Sequence, residues 1–292
     1  MSLYLGCPIW SFKGWVGGFY PRGTKPAQFL REYARRLTAI EGNTTFYAVP
    51  AERTIRQWAA ETPPGFRFCP KVPQAVSHRG RLVDHKLEAL AFVDSMSALG
   101  TRLGPMFLQL PPRFDPGLLD DLEKFLAGWP HGARLGVEVR HPGWFEPAHH
   151  RALNLLLARH EMARVVIDTR PIRGLEGDKL LEGSVYQALL EARGRKPDVP
   201  VLPEPTTDFV FIRYIGHPRI ELNAGFLDEW SEFLVSQLQR DTQAYVICHS
   251  PDNLTAPYLC RELHRRVAGS LAIAPLPWDD AERSSFEQEP LL

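Results

Sequence analysis

The stretch Arg134-Leu135-Gly136-Val137-Glu138-Val139-Arg140 alternates: Leu135, Val137 and Val139 share one parity, and Gly136, Glu138 and Arg140 share the other. Successive side chains of a strand point to opposite faces, so this reads as a strand with one face packed on apolar neighbours and one face carrying charge. The segment Phe66–Lys71 repeats the pattern, with Phe66 and Phe68 on one face and Arg67, Cys69 and Lys71 on the other. Charge on the inner face of an otherwise apolar strand marks a lumen rather than a solvent surface.

Six further apolar segments, Leu3–Cys7, Ala39–Asn43, Pro105–Leu110, Ala163–Asp168, Phe209–Tyr214 and Ala244–His249, complete a set of eight candidate strands. Helical stretches lie between them. Phe29, Leu30, Tyr33, Ala34 and Leu37 recur at a period near 3.6 behind Pro26, a residue suited to a first helical turn. Similar stripes run through Leu118, Leu119, Leu122, Phe125 and Leu126 and through Phe226, Leu227, Trp230, Phe233 and Leu234. Alternating strands and helices give a parallel sheet, and eight such units close into an α/β, (β/α)8 TIM-like barrel. A doubly wound open sheet is the alternative; Cys7-Pro8-Ile9-Trp10 after the first strand has none of the glycines of a dinucleotide or phosphate loop.

The expectation is one barrel domain over residues 1–270. A longer insertion, residues 170–208, lies between strands six and seven, long enough to cover the barrel mouth. A Pro-rich, acidic tail, residues 271–292, is expected to be loosely held. Equal numbers of basic and acidic residues, 34 each, remove any long-range attraction to nucleic acid or to an anionic membrane. Cys7, Cys69, Cys248 and Cys260 lie far apart without a C-x-x-C pair, which disfavours zinc, iron–sulfur and thioredoxin-like sites. With no basic-then-apolar leader and no apolar run of spanning length, the chain reads as cytoplasmic.

Barrel enzymes place their chemistry where the strands end, because the loops that follow converge there. Glu41 and Asn43 end the second strand, Lys71 the third, Gln109 the fourth, Glu138 and Arg140 the fifth, Asp168 the sixth and Arg213 the seventh. Glu138, Asp168 and Glu41 are the candidate acids and bases. Lys71, Arg140 and Arg213 would clamp an anion, Gln109 and Asn43 would orient it, and Trp10 and Trp144, just beyond strand ends, would supply a stacking wall. Three cations among three carboxylates weaken the field a divalent metal needs, so neither metal nor other cofactor is expected.

These residues fall within a longer series: Gly6, Trp10, Trp15, Gly17 and Phe19-Tyr20-Pro21; Glu41, Asn43 and Thr45-Phe46-Tyr47; Phe68, Lys71 and His78; Gln109-Leu110-Pro111-Pro112 and Phe114; Glu138-Val139-Arg140-His141-Pro142 and Trp144; Asp168; Arg213. In that order, over about residues 4–250, they resemble the family called domain of unknown function 72, or YecE-like. The resemblance implies a TIM-like barrel and no particular reaction, and it adds His141 to the substrate-binding candidates. The chain departs from the family pattern at Ile247-Cys248-His249-Ser250, where an aromatic and paired asparagines are usual, and at Tyr214-Ile215-Gly216-His217.

The function expected is a metal-independent hydrolase or isomerase acting on a small polar anion such as a sugar phosphate or nucleoside derivative. A ligand-binding or interaction protein with the same pocket is the first alternative. A metal-dependent hydrolase or nuclease using Glu41, Glu138, Asp168 and His249 is the second. Elemental analysis of protein purified without chelators is expected to find no stoichiometric zinc, iron or manganese, and one tightly held metal per chain would overturn this.

Overall fold

The computed structural model describes residues 2–174 and 178–279. Strand β1 (Leu3–Cys7) leads through helix α1 (Phe29–Ala34) to β2 (Ala39–Gly42), and through α2 (Thr44–Tyr47) and α3 (Glu52–Glu61) to β3 (Arg67–Pro70). Helices α4 (Gln74–Ser77) and α5 (Lys86–Ser97) precede β4 (Met106–Gln109); α6 (Leu119–Leu126) precedes β5 (Leu135–Glu138), and α7 (Pro147–Arg159) precedes β6 (Ala163–Asp168). Helix α8 (Gly183–Arg195) lies within the long insertion, followed by β7 (Phe209–Ile215), α9 (Ala224–Leu238), β8 (Gln243–His249) and α10 (Ala256–Ser270).

All paired strands are parallel, in the order β3-β2-β1-β8-β7-β6-β5-β4. The seam between β3 and β4 closes through isolated bridges at Phe68 with Leu103 and Lys71 with Phe107, where Gly104 N donates to Phe68 O (2.7 Å) and Val72 N to Phe107 O (3.0 Å). The result is the expected (β/α)8 barrel. Several ladders are shorter than the apolar runs that announce them: β5 pairs only over Leu135–Glu138 of the expected 134–140. Val139 and Arg140 follow beyond the last ladder bond, where the loop begins.

Paired residues in a parallel ladder share a face, so the register sorts inside from outside. Cys69, Phe107, Ala163, Val165, Phe209, Phe211, Tyr245 and Ile247 form an apolar cluster in the lumen. Leu5, Cys7, Phe68, Leu108, Val137, Ile212 and Val246 belong to the larger cluster packed beneath the helices. The insertion lies over the C-terminal mouth as its length suggests: Ile172, Leu189 and Val199 pack on Ile167 and Ile215 at the tops of β6 and β7. Within the insertion, Arg193 bonds Asp178 (2.6 and 2.7 Å) and Gly174 O (2.7 Å).

Packing does not stop at residue 270. Leu276 and Trp278 are only 2% and 4% exposed, and the Trp278 ring meets Phe19 edge-on at 4.9 Å with Arg261 stacked over it at 4.7 Å. Burial of two large apolar side chains therefore holds the segment expected to be loose as far as Asp279; residues 280–292 of that tail lie outside the described residues. Among the described residues no helix is long and apolar enough to cross a membrane, and all four cysteines are buried and free.

Gly6 shows how tightly β1 and β2 approach. A Cβ there would lie 2.1 Å from Ala39 O, a backbone atom that cannot rotate away. Gly6→Ala should therefore destabilise the barrel by about 1–3 kcal/mol or more. Urea denaturation would read this as a lower midpoint; an unchanged midpoint would contradict the packing described.

Candidate functional site

The top layer of the lumen is polar because the inward position of several strands is a charged or amide side chain. Arg213, near the end of β7, reaches across to two other strands. Its Nε and Nη2 donate to Glu41 of β2 at 2.7 and 2.9 Å, and its Nη1 donates to Glu138 of β5 at 2.6 Å. Both carboxylates are fully buried. Arg140 binds the other side of Glu138 through Nε at 2.7 Å and sends Nη2 to Gln109 Oε1 at 2.8 Å. Asn43 donates to Glu41 at 2.7 Å. Thus Glu41, Asn43, Lys71, Gln109, Glu138, Arg140 and Arg213 meet at one mouth, as strand parity suggests.

Burial by itself would raise the pKa of both glutamates. For Glu138, Arg213 and Arg140 outweigh it and lower the pKa to about 2. For Glu41, the Arg213 guanidinium brings it well below the ordinary carboxylate range against the effect of burial. Both are held as anions with their oxygens engaged, so neither is poised to exchange protons near neutrality. These engaged anions lend no support to the expectation of Glu138 or Glu41 as general acid or base.

Lys71 has no carboxylate of its own. Its Nζ donates to Gln109 Oε1 at 2.9 Å and sits 3.9 Å from the centre of the Phe46 ring. Burial and the positive charge of Arg213 lower its pKa to about 8, against the opposing pull of Glu138 and Glu41. Thr45 Oγ1 bonds both Gly42 O and Lys71 O at 2.7 Å, tying the turn after β2 to the end of β3 and fixing where the lysine starts.

Above these residues lies a cavity of about 590 Å³, lined among others by Phe46, His78, Arg140, Lys196 and His249. Lys196 comes from the insertion, just after α8, and makes no ion pair with a described residue. Burial, then Arg213, lowers its pKa to about 7. His249 Nε2 is 3.4 Å from Glu41 Oε2 yet buried without a hydrogen bond. Burial lowers His249 to about 4, and burial with Lys71 does the same to His78, so both rings are neutral at pH 7.

Four of the expected site residues lie elsewhere. Asp168 pairs in register with Tyr214, whose side chain packs beneath the helices, so the carboxylate faces α9. There it accepts from Trp230 Nε1 at 2.8 Å and from Arg170 Nε and Nη2 at 3.0 and 2.9 Å. Trp144 is fully buried, bonded to Phe114 O at 2.7 Å and stacked on the Phe114 ring. Trp10 packs edge-on against Trp58 and Phe68. Both tryptophans cap apolar core rather than face a ligand. His141 accepts from Gly143 N at 3.1 Å and caps a short helical turn.

Lys196 was not legible, since it lies on no strand and follows no periodic pattern. His249, weighed in the sequence only as a metal ligand, ends β8 on the inward face, and parity would have found it. Among the described residues no three or more His, Cys, Asp or Glu side chains are grouped to hold a metal ion. The four-ligand set of the metal-dependent alternative is not assembled, because Asp168 is on the opposite face of its strand.

Arg213→Met would leave two buried carboxylates short of their shared partner, at a cost of about 3–5 kcal/mol at neutral pH. The Glu138 contribution is present above its unfolded pKa of about 4.3 and is lost as pH falls toward its folded value of about 2. The difference between wild type and variant should therefore shrink with acidification. Urea midpoints at pH 7, 4 and 2.5 would check both the size and the trend.

The comparisons with known proteins agree with the barrel fold. Residues 4–281 match the family model described as protein of unknown function DUF72. The chain is 34% identical over 262 residues to the UPF0759 protein YecE of Escherichia coli K12, covering 89% of this chain and 91% of that one. It is 24% identical over 255 residues to the UPF0759 protein YunF of Bacillus subtilis, covering 84% and 87%. Crystal structures of DUF72 family proteins from Enterococcus faecalis and Thermotoga maritima superpose with TM-scores of 0.68 and 0.62 at 18% and 21% identity. The first covers 94% of this chain and 98% of its own; the second covers 92% and 100%. Those two establish the barrel, and the family model with the Escherichia relative establishes kinship: this chain belongs to the DUF72 family.

Proposed function

We propose that the chain is an enzyme that takes a small anionic, polar molecule into the C-terminal mouth of the barrel, with lysines rather than carboxylates as its proton-exchanging groups. One observation carries this reading. Five cations, Lys71, Arg140, Arg195, Lys196 and Arg213, line the cavity; Arg195 is paired with Glu191, and Arg140 and Arg213 already occupy the buried carboxylates Glu41 and Glu138, which leaves the two lysines without an ion-pair partner among the described residues. The lysines are surplus positive charge in a cavity of low dielectric, and a phosphate or carboxylate would offset the cost of burying them.

Sugar phosphates, nucleoside phosphates and small carboxylic acids share that property, and a cavity of about 590 Å³ has room for any of them. Hydrolysis and isomerisation both fit groups with pKa values near 7 and 8. A second reading, a ligand-binding protein without chemistry, draws support from Glu138 and Glu41, which are fully engaged as anions. Turnover of a bound ligand separates the two.

Thermal shift against inorganic phosphate, sugar phosphates, nucleotides and carboxylic acids is the direct test. At least one anion should raise the melting temperature, less so as salt increases. Lys196→Met should weaken that ligand by about 1.5–3 kcal/mol, the range for a hydrogen bond to a charged group. Affinity should fall as pH rises through about 7 to 8, because Lys196 and then Lys71 lose their protons while Arg140 and Arg213 stay charged, Glu41 and Glu138 stay anionic, and His78 and His249 stay neutral. If no anion stabilises the wild type, or the variant responds equally, the reading fails.

A further inference from the structure

Lys71 and Lys196 enter one cavity, yet their settings differ. Lys71 rises from the barrel wall and is only 7% exposed. Its backbone oxygen is held by Thr45, and its Nζ is aimed by Gln109 and bounded by the Phe46 ring. A buried lysine that served only as a structural cation would normally be paired with a carboxylate. Here the nearby carboxylates are spent on arginines, and the lysine has an amide oxygen and an aromatic face instead.

A desolvated lysine beside other cations is the setting in which an amine becomes a nucleophile. Arg140 uses Nε and Nη2 on Glu138 and Gln109, leaving Nη1 without a bond among the described residues, and Lys196 has no ion-pair partner among them. The cavity therefore combines a fixed amine with cationic groups able to hold an anion.

Building on the anion-pocket reading above, we propose that Lys71 forms an imine with a small carbonyl compound that also carries a carboxylate or a phosphate. The neutral Nζ attacks the carbonyl carbon, a C–N bond forms, and the oxygen takes up a proton to give a carbinolamine. The C–O bond then breaks and the oxygen leaves as water. One hydrogen of that water comes from the amine and the other is a proton given to the departing oxygen by a carrier such as Lys196, so Nζ keeps its second hydrogen and the product is the protonated imine. No oxidant or reductant is required. The protonated imine then withdraws electrons from the neighbouring carbon, which serves isomerisation or carbon–carbon bond cleavage.

The test is reductive trapping of the full-length protein by borohydride in the presence of pyruvate, 2-oxoglutarate or dihydroxyacetone phosphate, read by intact mass and peptide mapping. The oxo acids and the oxo phosphate distinguish the two sources of negative charge. The expected result is one adduct per chain, mapped to Lys71 and lost in both Lys71→Arg and Lys71→Met. Lys71→Arg retains the positive charge and should keep at least part of the thermal stabilisation by these anions. Lys71→Met, which removes an unpaired buried charge, keeps the test open if the arginine does not fit. An adduct on Lys196 or on surface lysines alone would overturn the assignment. Stabilisation by the oxo compounds without any adduct would overturn the imine and leave the anion pocket standing, whereas neither stabilisation nor adduct would overturn both.

Discussion

The guanidinium of Arg213 joins three strands that are distant in sequence. It leaves β7 and binds Glu41 of β2 and Glu138 of β5 across the lumen, with the Phe107 ring of β4 at 5.2 Å beneath it. Strand number and the closed ladder set the width of the barrel; this fork ties the inward side chains of opposing walls together at the mouth. A buried ion pair of this kind does not stabilise a fold more than apolar packing of the same volume would. Its presence at the strand ends, above a lumen otherwise filled by Phe107, Phe211, Tyr245 and Ile247, marks the level at which packing gives way to a polar floor.

The rest of the mouth is built on that floor. With Glu41 and Glu138 committed to Arg213, Arg140 and Asn43 are oriented by what remains of the two carboxylates, and Gln109 gathers Arg140 and Lys71 onto one oxygen. The insertion then brings Lys196 over the same space. Since a small apolar cluster packs the insertion onto the tops of β6 and β7, the lysine above belongs to the built site and is not a stray surface charge. The electrostatics run in one direction: arginines fix the carboxylates as anions, and the lysines, desolvated first and then facing like charges, lose their protons more readily than lysines in water.

Much of this was readable from parity. The alternation of Leu135, Val137 and Val139 against Glu138 and Arg140 and of Phe66 and Phe68 against Lys71 identified inner and outer faces, and the ladders agree. Asp168 misled because β6 is apolar on both faces at its centre, with Val165 inside and Val166 outside, so polarity at the strand end does not reveal the phase. Alternation counted back to Arg164, which is buried among His150, Asn154 and Trp144 on the helix side, would have put Asp168 on that side too. Trp10 and Trp144 follow strand ends, but a large ring just above a barrel rim can fold down over the helix layer as easily as over the lumen.

The sequence by itself determined the eight-fold alternation, the closed parallel sheet and the identity of most residues facing the mouth, because period-two patterning is a local property written into each strand. Only the tertiary structure decided which partner each charge would take, that Arg213 would consume both glutamates, and that Lys196 would arrive from the insertion. Those outcomes depend on distances between segments as far apart as Glu41 and Arg213, 172 positions along the chain. Charge pairing in a low-dielectric lumen is settled by such distances, and no local pattern encodes them.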